Sequence, residues 1–545
     1  MNCYVAAAVQ YEPEFGAVDV NLEQLAGLVQ QAASAGAQLV VLPEMATTGY
    51  VFRSREEISP LVQPVPGPVT DFLGQLAART GTHLVMGLAE VDEETGIFYN
   101  TAVLMGSNGA LLGKYRKLHS FVDETRWAKD GDLGMPVFDT ALGRIAMMIC
   151  MDADYFETAR LAALQGADVI AFPTNWLGPA PSKSWRARAL ENRVYVVAAD
   201  RWGEERGIRF SGGSAIIGPG GEVLSWLERG NGVVTAEIDL ATARDKHVPG
   251  FGHVLARRMP REYHGVVINS YLWSPASVQG LPPERQSGVA VVQLRARPGS
   301  PEAMVISAVE AVEAVVAGTG GAVDLVVLPE ALVAAGADHA ALAEEIPGPV
   351  THRFLELATR FGLYIAFGLP ERAPSGLYSS VVLVGPDEIY GLYRKLHLTP
   401  ADEQWCRTGD LGMPTVDLPL GRVALLTATD LMVPETARTV AKKGADLICA
   451  PGAWADPSTT WLWDDRWAGN DTLLAVANLS GQGFAGRSTV FGNLEEKQRA
   501  RVDADAGWAC LTVDTKWERR IRQKEMLRRL QPGWYSPLVK GKHRG

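Results

Sequence analysis

The chain repeats itself once, at a long period, and this feature limits the folds open to it more than any other. KYRKLH at 114–119 returns as LYRKLH at 392–397, GDLGMP at 131–136 returns at 409–414, and LGR at 142–144 returns at 420–422, each 278 residues later. Upstream, VVLPE at 40–44 returns at 326–330 and PGPVT at 66–70 returns at 347–351. A chain of 545 residues is too long for one ordinary core. The repeat resolves it into a first domain at 1–267, a linker at 268–287 with the irregular text INSYLWSPASVQGLPPERQS, and a second domain at 288–545.

Each copy alternates short apolar runs with amphipathic stretches. In the first, a strand is expected over Val5–Gln10 and a helix over 22–35, where Leu22, Leu25, Val29, Ala32 and Ala33 recur at helical spacing and Gly36 stands at the C-terminal cap position. Further strands are expected at Gln38–Leu42, His83–Leu88, Ala102–Met105, Arg144–Ile149, Asp168–Phe172, Val194–Ala199, Ser214–Ile217 and Val233–Ile238, with a helix over 69–79. Continuous Val/Ile/Leu runs imply sheets covered by helices. So many strands in one copy imply two packed sheets in a layered α/β domain.

The stretch richest in chemistry is GRIAMMICMDADYFETAR at 143–160. An apolar strand exits at Cys150, and a polar turn leads into a helical segment, so one thiol sits on a sharp strand-to-helix turn of the kind that exposes a nucleophile and aims backbone N–H groups at its target. A lone Cys at a strand end is ordinarily a core residue; partners are needed. Glu44, at the end of QLVVLPE, can take the thiol proton if partly desolvated, and Lys117, in KYRKLH, can hold an oxyanion together with the backbone N–H of Met151.

The order Glu, Lys, Cys, with LPEMATTGY around Glu44, YRKLH around Lys117 and ICMDADYFETAR around Cys150, resembles the nitrilase superfamily of carbon–nitrogen hydrolases. The likeness covers the whole first copy, including GADVIAFPTNW at 166–176, RALENRVYVVAADR at 188–201 and SGGSAIIGPGGEVL at 211–224. It implies tandem αββα four-layer sandwiches packed as an intramolecular pseudo-dimer, a Glu44–Lys117–Cys150 triad, a positioning glutamate at Glu124, a covalent intermediate, and neither metal nor cofactor. Tyr50, Phe121, Asn175 and Trp176, beside the triad motifs, are expected to line the substrate pocket. Nitrile-cleaving members tend to carry Cys-Trp-Glu at the elbow where this chain has Cys150-Met151-Asp152, so the expected reaction is hydrolysis of a small-molecule amide. A nitrilase or N-carbamoyl hydrolase on the same triad, and a non-enzymatic binding or scaffold protein, are the alternatives.

The second copy departs from the pattern. Glu330 and Lys395 remain, but Ala428 stands where Cys150 should, Asp402 with Glu403 beside it replaces Glu124, and the TTGYVF loop is shortened. Neither Cys406 nor Cys449 aligns with Cys150. This half is expected to be catalytically silent.

Composition narrows the partners. A net charge of -11 argues against a nucleic-acid groove or an anionic-membrane patch, and no apolar run reaches the roughly 18 residues of a membrane span. Five scattered Cys and a start without a basic leader lead us to expect a cytoplasmic protein without disulfides or a signal peptide, acting on small molecules and open to further homo-oligomerisation.

Overall fold

The computed structural model describes residues 2–269, 280–297, 299–330, 338–524 and 527–541. The chain forms two compact units, Met1–His247 with Gly533–Pro537, and Val248–Pro532 with Leu538–Gly545. The division therefore falls twenty residues before the expected 267/268 boundary. The reason is visible in the bonds of that stretch: Arg257 pairs with Glu403, Arg258 with Glu435 and Tyr263 with His397, all in the second unit. Half of the expected linker, 270–279, lies outside the described residues.

The first unit contains β1 (Cys3–Gln10), α1 (Val18–Ser34), β2 (Ala37–Val41), α2 (Pro68–Thr80), β3 (His83–Val91), β4 (Phe98–Met105), β5 (Leu111–Arg116), β6 (Val137–Thr140), β7 (Gly143–Met147), α3 (Phe156–Leu164), β8 (Val169–Thr174), α4 (Lys183–Asn192) and β9 (Tyr195–Asp200). It continues with the hairpin β10 (Trp202–Glu205) and β11 (Ile208–Ser211), then β12 (Ser214–Ile217), β13 (Val223–Leu227) and β14 (Gly232–Asp239). One six-stranded sheet runs β14-β1-β2-β3-β4-β5 and the other β13-β12-β9-β8-β7-β6. In each, the central trio, β1-β2-β3 or β7-β8-β9, is parallel and the flanking strands are antiparallel.

Strand periodicity explains the layering. Val5, Ala7 and Val9 of β1 join Leu22, Leu25 and Val29 of α1 and Leu73, Leu76 and Ala77 of α2 in one core. The alternate residue Gln10 points to the second sheet, where its Oε1 accepts from Gly213 N at 2.8 Å and Ser214 N at 2.9 Å. The two sheets pack through β1 on β9 and β3 on β8, while α3 and α4 belong to the second sheet's half. This is the expected αββα sandwich. The second unit repeats the pairing, with Gln286–Arg295 parallel to Leu325–Val327 and antiparallel to Gly507–Asp514, and with Gly421–Leu425, Leu447–Gly452 and Leu473–Gly481 in parallel. There the C-terminal end of Gln286–Arg295 also bonds to the other layer, Leu294 pairing with Leu479.

One glycine sets how closely β3 passes the site. A Cβ on Gly87 would lie 2.5 Å from Glu44 Cα, and one on Gly368 would lie 2.7 Å from Glu330 Cα. Gly87→Ala should therefore displace backbone and cost about 1–3 kcal/mol, the scale of overpacking. Gly27→Ala, in open space on α1, should stabilise by about 0.5–1 kcal/mol through helix propensity. Thermal unfolding of the two variants checks the contrast; equal shifts would show that the close pass at Gly87 is slack.

Candidate active site

Glu44 lies three residues beyond β2, because Pro43 has no N–H to continue the ladder. The carboxyl is fully buried, and its Oε1 accepts from Lys117 Nζ at 2.8 Å and Asn100 Nδ2 at 2.7 Å. Lys117 follows β5, held by its N–H to Asn100 O at 2.9 Å and by Gly131 N to its own carbonyl at 2.8 Å. Its ammonium also donates to Glu124 Oε1 at 2.6 Å. Glu124 gathers further donors: Tyr50 Oη at 2.6 Å and Asn100 Nδ2 at 3.1 Å on Oε1, and Phe121 N at 3.1 Å on Oε2. Of the four oxygens on these two carboxylates, Glu44 Oε2 alone has no hydrogen-bond partner among the described residues.

Cys150 is buried at the elbow, after a strand that leaves its ladder at Met147, two residues earlier than expected, to place the turn. Its φ is +42°, a left-handed conformation that costs an L-residue about 1–3 kcal/mol and persists only where the surroundings fix it. Burial and the nearby Glu44 charge push its thiol well above the ordinary range, against the opposing pull of Lys117, the Thr174 hydroxyl and the Asn175 amide. Burial, aided by Glu124, pushes Glu44 up to about 7, although Lys117 and Asn100 pull the other way. Burial pulls Lys117 down, but Glu124 and Glu44 outweigh it and hold the ammonium above its usual range.

The expected pocket residues divide. Tyr50 is in the site, bonded to Glu124, and Phe121 packs beside it in an apolar cluster with Trp127 and Phe210. Asn175 offers its backbone N–H to the thiol, and both its side-chain amide atoms are buried and unbonded among the described residues. Trp176 instead packs its ring edge-on against Trp185 at 5.3 Å and donates its backbone N–H to Asp200 Oδ1 at 2.9 Å. Met151, next to Cys150, is half-buried.

Sequence reasoning missed Asn100, Thr174, Asp200 and Glu205. Glu205 Oε1 accepts from Tyr50 N at 2.9 Å and Val51 N at 2.5 Å, and its Oε2 pairs with buried Arg201 at 2.7 Å, so it fixes the Tyr50 loop. Burial pushes the Asp200 carboxyl well above the carboxylate range, with the Glu44 charge adding to it. In the second unit Asn478 fills the corresponding place, accepting from Trp454 N at 2.7 Å and donating to Trp454 O and Gly486 O.

That second unit keeps the ion pairs and loses what faces the thiol. Lys395 bonds Glu330 at 2.9 Å, and Asp402, though one methylene shorter than Glu124, still reaches it at 2.8 Å. By contrast Ala428 replaces Cys150, Gly452 replaces Thr174, Ala453 replaces Asn175, and Ser379 takes the place of Asn100 on the glutamate. Ala428 relaxes to φ −58°, and a Cβ on Gly452 would lie 2.7 Å from Ala428 Cβ, so position 452 has no room for the side chain that Thr174 carries in the first unit. The shortened loop after Glu330, at 331–337, lies outside the described residues.

A family model for carbon–nitrogen hydrolases matches the chain twice, over residues 5–247 and 288–502. The chain belongs to that family. Among its relatives, a nitrilase of Pyrococcus abyssi is 44% identical over 47% of this chain and 98% of its own length. A probable nitrilase of Schizosaccharomyces pombe is 35% identical over 44% and 89%, and an omega-amidase of Homo sapiens is 30% identical over 40% and 83%. Among solved structures, an amidase from Nesterenkonia aligns over 44% of this chain and 92% of its own at 26% identity, with a TM-score of 0.40. Among the described residues, no helix is long and apolar enough to cross a membrane.

The Glu44 carboxyl should titrate near 7 in isotope-edited infrared difference spectra against Glu44→Gln. Asn100→Leu removes a donor that favours the charged form, so the transition should move upward by about one pH unit, the scale of one hydrogen bond to a charge. A downward or absent shift would mean that Asn100 does not steady the carboxylate.

Proposed function

We propose that the first unit hydrolyses the amide bond of a small molecule through Glu44, Lys117 and Cys150, with Glu124 positioning the lysine and substrate. The observation that carries the reading is the division of labour on Glu44: Oε1 is taken by Lys117 and Asn100, while Oε2 is buried and unpartnered, available for a proton from the thiol.

As the sulfur of Cys150 attacks the carbonyl carbon, its proton passes to Glu44. The carbonyl oxygen, now an oxyanion, is held by the one N–H of Lys117 that its two carboxylate bonds leave over, and by the Met151 amide. Collapse breaks the carbon–nitrogen bond, Glu44 returns the proton to the departing nitrogen, and a thioester remains on Cys150. Water then attacks the thioester, giving a proton to Glu44; the acid leaves and the thiol is re-protonated. A resting thiol with a raised pKa fits a nucleophile that ionises only during attack, when the base beside it is within reach. The alternative of nitrile substrates rests on the two relatives named as nitrilases; the elbow Cys150-Met151-Asp152 favours amides. The buried second site, with Ala428 in place of the thiol and its elbow relaxed, is proposed to be silent.

Ammonia release over a panel of small amides, nitriles and N-carbamoyl compounds should be strongest for an amide. Activity should rise with pH through about 7 as Glu44 ionises. Cys150→Ala should abolish turnover and the acyl adduct that mass spectrometry finds on its peptide. Lys117→Ala should lose at least about 10²-fold. Full activity in the alanine variant of Cys150 would end the reading. In a Cys150→Ala background, Ala428→Cys should restore nothing; recovered turnover would show that the second site lacks only its nucleophile.

A further inference from the structure

Behind the elbow runs a chain of hydrogen bonds that the proposed chemistry does not use. Asp152 is fully buried. Its Oδ2 accepts from Ile149 N at 3.0 Å and Tyr115 Oη at 2.7 Å, and its Oδ1 accepts from His119 N at 3.1 Å and lies 2.8 Å from His119 Nδ1. Asp152 N donates back to Ile149 O at 3.0 Å, so both ends of the Ile149–Asp152 turn are tied, with Cys150 at positive φ between them. The same carboxylate reaches the Lys117 segment, since His119 is only two residues further on. It thereby sets where the thiol stands relative to the lysine.

The His119 ring stacks on Tyr155, centroids 3.8 Å apart and planes 6° apart, and stacking alone does not decide which edge meets Asp152. The carboxylate decides it. Nδ1 lies against Asp152 and donates to it, and on the far edge the hydroxyl 2.8 Å from Nε2 belongs to Tyr535. Tyr535 is fully buried and lies in Gly533–Pro537, the only part of the C-terminal stretch that belongs to the first unit.

We propose that Tyr535 is a positioning residue for Cys150, acting through His119 and Asp152, so that the C-terminal stretch completes the first unit's active site. The proposal rests on the reading of Cys150 as nucleophile. Without the hydroxyl, a buried ring nitrogen is left unpaired, and the ring gains a reason to turn and withdraw Nδ1 from Asp152. The second unit carries the same relay: Tyr263 Oη lies 2.6 Å from His397 Nε2, His397 Nδ1 lies 2.8 Å from Asp430, and Asp430 accepts from Thr427 N at 2.9 Å and Tyr393 Oη at 2.8 Å. There the elbow residue is a relaxed Ala428. The relay thus does not create the strain at Cys150; it holds the frame in which the strain persists. Tyr263 and Tyr535 close the similar stretches RRMPREY and RRLQPGWY, so the second relay is a built-in control.

The test is Tyr535→Phe in the full chain, which removes one O–H and keeps the ring. On any panel substrate that turns over, kcat should fall about 10-fold, the lower end for outer residues that orient a reacting group, with KM within about twofold. Iodoacetamide labelling of Cys150, followed by mass spectrometry, should show an altered rate and pH profile. Tyr263→Phe should leave both readouts at the parent values. His119→Asn keeps a donor near Asp152 but cannot reach Tyr535; it should reproduce the loss, and adding Tyr535→Phe to it should cost nothing more. Parent-like kcat and labelling in Tyr535→Phe, or equal losses in Tyr263→Phe, would overturn the proposal. Failure of the nucleophile reading would show separately, in the parent protein, as turnover that survives complete labelling of Cys150.

Discussion

The site is organised by one buried cation. An ammonium removed from water and left alone costs several kcal/mol, so Lys117 can stand where it does only if Glu44 and Glu124 both come within bonding distance, at 2.8 and 2.6 Å. That requirement fixes three pieces of chain at once: the exit of β2 after Pro43, the end of β5, and the short turn that carries Glu124. Gly87 lets β3 pass under Glu44, and Asn100 on β4 ties the two carboxylates together. The thiol is added to a frame already determined by charge.

The second unit shows how far that frame is independent of chemistry. Removing one partner of a buried ion pair costs about 3–5 kcal/mol, because the other charge is stranded. Lys395 therefore cannot be lost without also replacing Glu330 and Asp402, and all three remain. Cys150, Thr174 and Asn175 carry no such penalty, and their counterparts are Ala428, Gly452 and Ala453. The charged residues hold one another in place; the polar residues around Cys150 are under no such constraint.

Much of this was legible in the sequence, for physical reasons. The repeat and the long buried strands show in local patterns of side-chain type, and two packed sheets in a layered α/β domain follow from strand and helix periodicity, while the αββα order and the candidate triad came with the resemblance to carbon–nitrogen hydrolases. The short, polar or edge strands did not show: Leu111–Arg116, Val137–Thr140 and Val223–Leu227 are too brief or too exposed to alternate cleanly. Asn100 sits within FYNTAVLM, where a polar residue in an apolar run carries no sign of its partner 56 residues away. Glu205, Asp200 and Tyr535 are likewise brought to the site only by tertiary folding, and the unit boundary shifted because residues 248–268 bond to the second unit rather than to the copy they follow.

The raised thiol pKa of Cys150 also bears on chemical durability. Oxidation to sulfenic and higher acids proceeds from the thiolate and requires access. A cysteine enclosed by protein, kept in its S–H form by burial and by the glutamate charge beside it, presents little thiolate to peroxide. The enclosure is thus a shield, and it separates Cys150 from redox-sensing cysteines, whose exposed thiolates make them reactive at rest.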